Sequence, residues 1–390
     1  GLLFLVTTIT NPPYCKALGG STSPILAKLS LMPIKFAING FGRIGRTATR
    51  VWLEKHTETL DLVAINTSGS LPLSGWAHLL KYDTAYGRMN ANVTIEEHLT
   101  PDKISDDDPL LGYLILNDKY KIPVLGQRDP LKLPWMQFQP TVVIESTGVF
   151  RTEEAARQHI QAGAKLVVIS APAKGGAMPT AIIGVNEDKI FQKDHTNTFA
   201  VVSNSSCTTN CVAPVAAVMH SKIGIKKAML TTAHGYTDDQ NIQDNSHKDM
   251  RRARAAAQNI VPTSTAAAES ATEAIPELKG LFDGVALRVP VLTGSITDFT
   301  FIASRPTSVD EVNQMFISAA QHPLYVNILA VTDEPLVSSD IIGRSESAIV
   351  DLGLTRVVDG DMVKVMAWYD NEYGYANRLV EQVIHAGENL

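Results

Sequence analysis

Ile34-Lys-Phe-Ala-Ile-Asn-Gly-Phe-Gly-Arg-Ile-Gly45 is the stretch on which the fold turns. Ile34, Phe36 and Ile38 alternate with their neighbours, which is the period of a strand. Gly40-x-Gly42-x-x-Gly45 then opens a helical run to about Lys55. At such a junction each glycine has a task. The first permits the tight turn, the second lets a pyrophosphate approach the backbone, and the third lets helix and strand pack closely. The motif alone is a weak signal, but its setting strengthens it. A second apolar run, Leu62-Val-Ala-Ile-Asn66, arrives about 20 residues on, where a dinucleotide fold places its next strand.

The alternation continues outward. Thr141 to Gly148 reads as a strand, Glu153 to Ile160 as a helix, and Lys165 to Ser170 as a buried strand. This pattern predicts a parallel sheet with helices packed on it. Beyond Cys207 longer strand-like runs appear (Gly284–Val291, Ile296–Ser304, Val363–Trp368), with helices near Val309–Gln321 and Tyr375–Gly387. The expected fold class is therefore α/β: a Rossmann-type, parallel-sheet cofactor domain over 32–206, and an α+β catalytic domain with a mostly antiparallel sheet over 207–368. Residues 369–390 would form a C-terminal helix returning to the first domain. Gly1-Leu-Leu-Phe-Leu-Val6 is too short to span a membrane and lacks the basic flank of a signal peptide. Residues 1–31 read as a disordered leader ahead of Met32; a transit peptide is weakened by having only Lys16 and Lys28 as basic residues.

The 390 residues allow two domains, and 45% hydrophobic with 19% charged residues is ordinary for a globular enzyme. A net charge of −6 gives no footprint for nucleic acid or an anionic membrane. The three cysteines, at 15, 207 and 211, form neither a disulfide nor a metal pattern. A reducing, cytoplasmic compartment is expected, with no metal.

Cys207 lies in Ser203-Asn-Ser-Ser-Cys-Thr-Thr-Asn-Cys211, and His234 in Met229-Leu-Thr-Thr-Ala-His-Gly-Tyr-Thr237. Hydroxyl and amide residues before an alanine-rich run place Cys207 at a helix N-terminus, where unpaired N–H groups and the helix dipole favour a thiolate. Free cysteine titrates near ~8.5, so a helix end and an imidazole have work to do. Cys207 is the expected nucleophile. After the second strand, Asn66-Thr-Ser-Gly-Ser70 offers no carboxylate for the ribose hydroxyls of NAD. A hydrogen bond to a charged group is worth roughly 1.5–3 kcal/mol, so its loss removes a preference for NAD. Its loss also removes repulsion against a 2′-phosphate, to which Thr67 and Ser68 could donate.

From Met32 onward the chain resembles the phosphorylating glyceraldehyde-3-phosphate dehydrogenases. The resemblance lies in Asn39 to Arg46, Glu145-Ser-Thr-Gly-Val-Phe150, Ser170-Ala-Pro172, Ser203 to Cys211, His234 to Thr237, Arg288-Val-Pro290 and Trp368 to Tyr375. Seven segments in order are specific. The resemblance implies oxidation of glyceraldehyde 3-phosphate to 1,3-bisphosphoglycerate with NAD or NADP, through a thioester on Cys207 with His234 as base. It implies cofactor contacts at Gly40, Phe41, Gly42, Arg43, Ile44, Gly45, Arg128, Ser146, Thr147, Gly148 and Ser170, with Asn371 orienting the nicotinamide carboxamide. Thr237 and Arg288 would hold the substrate phosphate, and Ser206, Thr208, Thr265 and Arg251 the attacking phosphate. A homotetramer is implied, with Tyr236 to Asn259 lining a neighbouring subunit's cofactor pocket.

Three departures stand out. Thr67 replaces the usual acid. Ser246 stands where NAD-specific members tend to have proline, as in photosynthetic NADP-using members. Ala266 replaces glycine beside the phosphate threonine, so that site is intact only if φ there is negative. Erythrose-4-phosphate dehydrogenase, with hydrolytic release of the acid, is the enzyme alternative. A non-catalytic nucleotide-binding regulator is the alternative from another class, and it would predict loss of the nucleophile or base.

Overall fold

A computed structural model describes residues 32–175, 178–191 and 199–390. The expectation for residues 1–31 lies outside them. The glycine-turn strand Ile34–Asn39 sits in the middle of an eight-stranded sheet. Its order is Val201–Ser203, Leu166–Ile169, Val142–Glu145, Ile34–Asn39, Leu60–Asn66, Tyr120–Leu125, Leu110–Leu116 and Val93–Glu97. The first six are mutually parallel. The last two pair antiparallel and extend the sheet at one edge, an addition the sequence reading did not contain. Val142–Glu145 and Leu166–Ile169 are buried at every residue, as strands covered by helices on both faces must be. That explains why they read as unbroken apolar runs.

From Ile34–Asn39 the chain goes to Leu60–Asn66 on one side and later to Val142–Glu145 on the other. This reversal of strand order opens a crevice at the carboxyl ends of the strands, the place where such sheets bind ligands. Gly40 takes φ +100°, and a Cβ there would lie 2.6 Å from the Thr147 nitrogen. At Gly45 a Cβ would lie 2.1 Å from the Gly40 oxygen. Turn, helix and neighbouring loop therefore meet at backbone distance, which only glycine allows. At Gly42 a Cβ would meet nothing within 4 Å, so one side of the turn is open for a pyrophosphate.

The second sheet runs Val261–Ser264, Phe282–Val289, Ile225–Gly235, Ser295–Ala303, Met362–Tyr369, Ala348–Asp351, Leu329–Thr332, with Arg356–Val358 paired to Met362–Tyr369. Most pairs are antiparallel; Ile225–Gly235 with Phe282–Val289, and Leu329–Thr332 with Ala348–Asp351, are parallel. Helix Cys207–Ile223 packs Cys211, Val215 and Met219 into one core with Phe299, Phe301, Val363 and Val365. Helix Tyr373–Glu388 shares the other core, where Ala376, Leu379 and Val383 join Phe36, Ile38 and Trp52. Each fully buried side chain of this kind contributes about 1.5–3 kcal/mol.

Candidate active site

Cys207 is the first residue of its helix. Ser206 caps the helix, its Oγ accepting from the Thr209 N–H at 3.1 Å. Ser205 takes the left-handed φ of +55°, which costs a non-glycine residue on the order of 1 kcal/mol or more. Three bonds hold it there. Its N–H donates to Ser203 Oγ at 2.9 Å, its hydroxyl donates to Thr209 at 3.0 Å, and Tyr375 donates to its carbonyl at 2.9 Å. The kink turns the strand Val201–Ser203 into the helix and presents Cys207 at the junction of the two sheets.

His234 arrives from the strand Ile225–Gly235. Cys207 Sγ lies 3.3 Å from His234 Nε2. The parallel register sets Arg288 beside His234, so both side chains share one face. His234 Nδ1 stands 2.6 Å from the Gly235 carbonyl and 2.6 Å from Arg288 Nη1. A ring nitrogen can serve only one of them. Protonated, Nδ1 donates to the carbonyl and leaves Nε2 free to accept the thiol proton; unprotonated, it accepts from the guanidinium and Nε2 carries the proton. Burial first, then Arg288, pushes the imidazole down to about 3. Burial pushes the Cys207 thiol up, opposed by Arg288 and by the hydrogen bonds around Thr208. Burial of both groups thus favours the neutral thiol–imidazole pair, against the thiolate that the helix end alone favours.

Thr208 is buried, its hydroxyl 2.8 Å from the Tyr369 hydroxyl, which is 2.9 Å from Thr232. Tyr369 packs edge-on against the His234 ring, with centroids 6.0 Å apart. The sequence reading gave Tyr369 no role. Burial alternates along Met362–Tyr369 and turns Tyr369 inward. Ser206 and Thr237 are half-buried near the same helix end and strand end. Thr265 accepts from the Ala267 N–H at 3.1 Å, and Ala266 has φ −88°, so alanine fits there without strain. Arg251 points outward. Its neighbour Arg252 turns inward instead, donating to Thr263 at 2.6 Å and pairing with Asp239, close enough to oppose the charge of Arg288. Arg252 is a residue the sequence reading missed.

The Gly40–Gly45 turn, Ser146–Gly148 and Ser170 follow the carboxyl ends of Ile34–Asn39, Val142–Glu145 and Leu166–Ile169 in the first sheet, and Asn371 follows Met362–Tyr369 in the second. Ser146 donates to the Gly40 carbonyl at 2.8 Å, and the Ser170 N–H donates to the Glu145 carbonyl at 2.9 Å. Phe41 is buried, and Ile44 packs against the same core. Asn371 Oδ1 accepts from the Gly294 N–H at 3.1 Å and from Ser295 Oγ at 2.9 Å, so its Nδ2 is the atom left to donate. The Arg43 guanidinium is engaged by carboxylates rather than left free. It clasps Glu372 with two bonds of 2.5 Å and Asp83 with two of 3.0 and 3.3 Å. Burial alone would lower its pKa, but these carboxylates raise it. Thr67 also differs from expectation. It is 2% exposed and donates its one proton to the Leu125 carbonyl at 2.9 Å. Ser68 is exposed, 2.8 Å from Ser70 Oγ, with exposed Arg128 donating to its carbonyl at 3.2 Å. Ser246 is exposed on the excursion after Gly235. Among the described residues, no group of three His, Cys, Asp or Glu side chains could hold a metal ion, and no helix is long and apolar enough to cross a membrane.

Comparison with known proteins agrees with this geometry. Residues 34–153 match the family model "Glyceraldehyde 3-phosphate dehydrogenase, NAD binding domain", and residues 206–371 match its C-terminal domain. The chain is 46% identical over 359 residues to glyceraldehyde-3-phosphate dehydrogenase 2 of Streptomyces arenae, covering 92% of this chain and 100% of the relative. It is 46% identical over 361 residues to the Mycobacterium bovis enzyme, covering 92% and 100%. It is 46% identical over 348 residues to the chloroplastic A enzyme of Chlamydomonas reinhardtii, covering 89% and 87%. A glycine turn shaped for a dinucleotide, a thiol against an imidazole, and these matches converge: the chain belongs to the glyceraldehyde-3-phosphate dehydrogenase family, as an NAD(P)-dependent dehydrogenase.

Proposed function

We propose that the protein oxidises D-glyceraldehyde 3-phosphate with inorganic phosphate to 1,3-bisphosphoglycerate, through a thioester on Cys207. The 3.3 Å approach of Cys207 Sγ to His234 Nε2, at a helix N-terminus and beside Arg288, carries this reading. His234 Nε2 takes the thiol proton as the sulfur attacks the aldehyde carbon. The resulting oxyanion is held by the Cys207 N–H and by protonated His234. A bound nicotinamide would supply the hydride acceptor for that carbon. The oxyanion electron pair re-forms the carbonyl as the thioester, and His234 releases the thiol proton to solvent. Phosphate attacks that carbonyl and expels the sulfur, which regains its proton.

Arg288 and Thr237 bind the substrate phosphate in this proposal, since a guanidinium with a hydroxyl suits a phosphate. Drawing Arg288 toward that anion frees Nδ1 to donate to Gly235, which leaves Nε2 as the base. Ser206, Thr208, Thr265 and Arg251 were the expected donors to the attacking phosphate; the inward turn of Arg252 makes it the better guanidinium for that task. NADP is accepted, with Ser68 and Arg128 at the 2′-phosphate and Ser246 reaching it from a neighbouring subunit of a homotetramer. Steady-state oxidation of glyceraldehyde 3-phosphate with each cofactor, with and without phosphate, tests the reading. Turnover that needs phosphate and proceeds with NADP is expected. Phosphate-independent turnover would instead favour hydrolytic release, as in erythrose-4-phosphate dehydrogenase.

A further inference from the structure

Beneath the crevice lies a buried polar assembly that the chemistry above does not use. Glu145 ends the strand Val142–Glu145 and is 1% exposed; His159, on the helix Glu153–Gln161, is fully buried beside it. Glu145 Oε2 accepts from Asn39 Nδ2 at 2.5 Å and lies 3.0 Å from His159 Nε2. Its Oε1 accepts from the Thr147 N–H at 2.8 Å and from the Thr147 hydroxyl. The ring proton of His159 can be located by chemistry. Trp135 Nε1, a donor with no acceptor capacity, stands 3.0 Å from His159 Nδ1. Nδ1 therefore accepts, and Nε2–H donates to Glu145. Asn39 Nδ2 and His159 Nε2 approach each other to 3.3 Å because both converge on the same oxygen.

The assembly continues sideways. Asn66 Nδ2 donates to Asn39 Oδ1 at 2.7 Å and to the Gln127 carbonyl at 2.7 Å, and Asn66 Oδ1 accepts from the Gln127 N–H at 3.0 Å. One hydrogen-bonded row thus crosses the carboxyl ends of four neighbouring strands. The residues just beyond those ends are Ser146–Gly148, the Gly40 turn, Thr67–Ser68 and Arg128, the loops assigned above to the cofactor. The tolerance between two of them is small, because a Cβ on Gly40 would sit 2.6 Å from the Thr147 nitrogen.

We propose that Glu145, oriented by His159 and Trp135, is a positioning residue for the dinucleotide. It fixes the Thr147 peptide against the glycine turn and, through Asn39 and Asn66, fixes the spacing of all four loops. A carboxylate suits this place because four donors face two oxygens. A glutamine would turn its NH2 toward one pair of donors. Trp135 stops His159 from changing tautomer to relieve that conflict, and Asn66 stops Asn39 from flipping its amide.

The inference rests on the cofactor placement proposed above, and the test separates the two. Dissociation constants for NAD and NADP are measured by calorimetry on the full chain, with Cys207 alkylation by iodoacetamide followed without cofactor. Glu145→Gln should raise both constants about tenfold or more, with cofactor KM rising and saturated kcat and alkylation close to wild type. Glu145→Asp should recover part of the loss, and Trp135→Phe should weaken binding severalfold. Gly42→Val, whose Cβ meets nothing within 4 Å and stands on the open side of the turn, should abolish binding. Binding by Glu145→Gln within twofold of wild type, with Gly42→Val unable to bind, overturns the positioning role alone. Binding by Gly42→Val as well overturns the cofactor placement. If Glu145→Gln does not fold, unchanged binding by Trp135→Phe overturns the proposal.

Discussion

A thiol and an imidazole 3.3 Å apart are useful only if one can give the other its proton, and burial sets the terms of that exchange. Both groups are pushed toward their neutral forms, the thiol up and the imidazole down to about 3. His234→Asn should lower kcat by about 10²–10⁴-fold, the usual worth of a positioned base, as read in steady-state assays. The same shift has a consequence for stability. Above pH 6.5 the ring is neutral whether folded or unfolded. As the pH falls toward about 3, the unfolded ring takes a proton that the folded ring refuses, so the fold loses stability across that window. Denaturant midpoints against pH should fall less steeply for His234→Asn than for wild type. Parallel curves would contradict the neutral, buried imidazole.

At the scale of elements, the strand, glycine turn and helix at the start of the chain were legible because sterics dictate them. Gly40 needs a positive φ, and a Cβ on Gly45 would collide with the Gly40 carbonyl. Gly45→Ala should therefore cost about 1–3 kcal/mol, measured as a lowered thermal midpoint. Fully buried parallel strands were equally legible, since they read as apolar runs. Leu110–Leu116 and Val93–Glu97 were not read as strands; the edge strand Val93–Glu97 exposes three of its five residues, which blurs its apolar pattern. Within the site, Cys207 and His234 were marked by their local sequence. The inward turns of Tyr369 and Arg252 depend on pairing and loop path, which short-range pattern does not carry. Thr67 shows the same limit: its chemistry suggested a phosphate donor, but the adjacent strand end supplies Leu125 as its partner. Ser68 is the exposed hydroxyl of that loop. Ser68→Asp should lower kcat/KM with NADP about tenfold more than with NAD, through charge repulsion. Equal losses would remove Ser68 from the 2′-phosphate.

Across the whole molecule, the site exists only where two sheets meet. The first contributes the glycine turn and its neighbouring loops; the second contributes His234, Arg288 and Asn371. Arg43 ties them together, gripping Glu372 next to Asn371. The excursion after Gly235 leaves Ile242, Met250 and Ile260 exposed, apolar surface that a neighbouring copy would cover. Sedimentation should give about four chain masses, as the implied tetramer requires, and Ile242→Asp should shift the mass downward and raise the KM for NADP together. A wild-type monomer with full NADP activity would remove the neighbouring subunit from the cofactor site. The chemistry itself is tested most directly by mass spectrometry of the chain mixed with glyceraldehyde 3-phosphate and NADP in the absence of phosphate. An acyl adduct on the Cys207 peptide, discharged when phosphate is added, is the result expected. Turnover with no adduct at Cys207, or with the acyl group on another residue, would contradict a thioester at that sulfur.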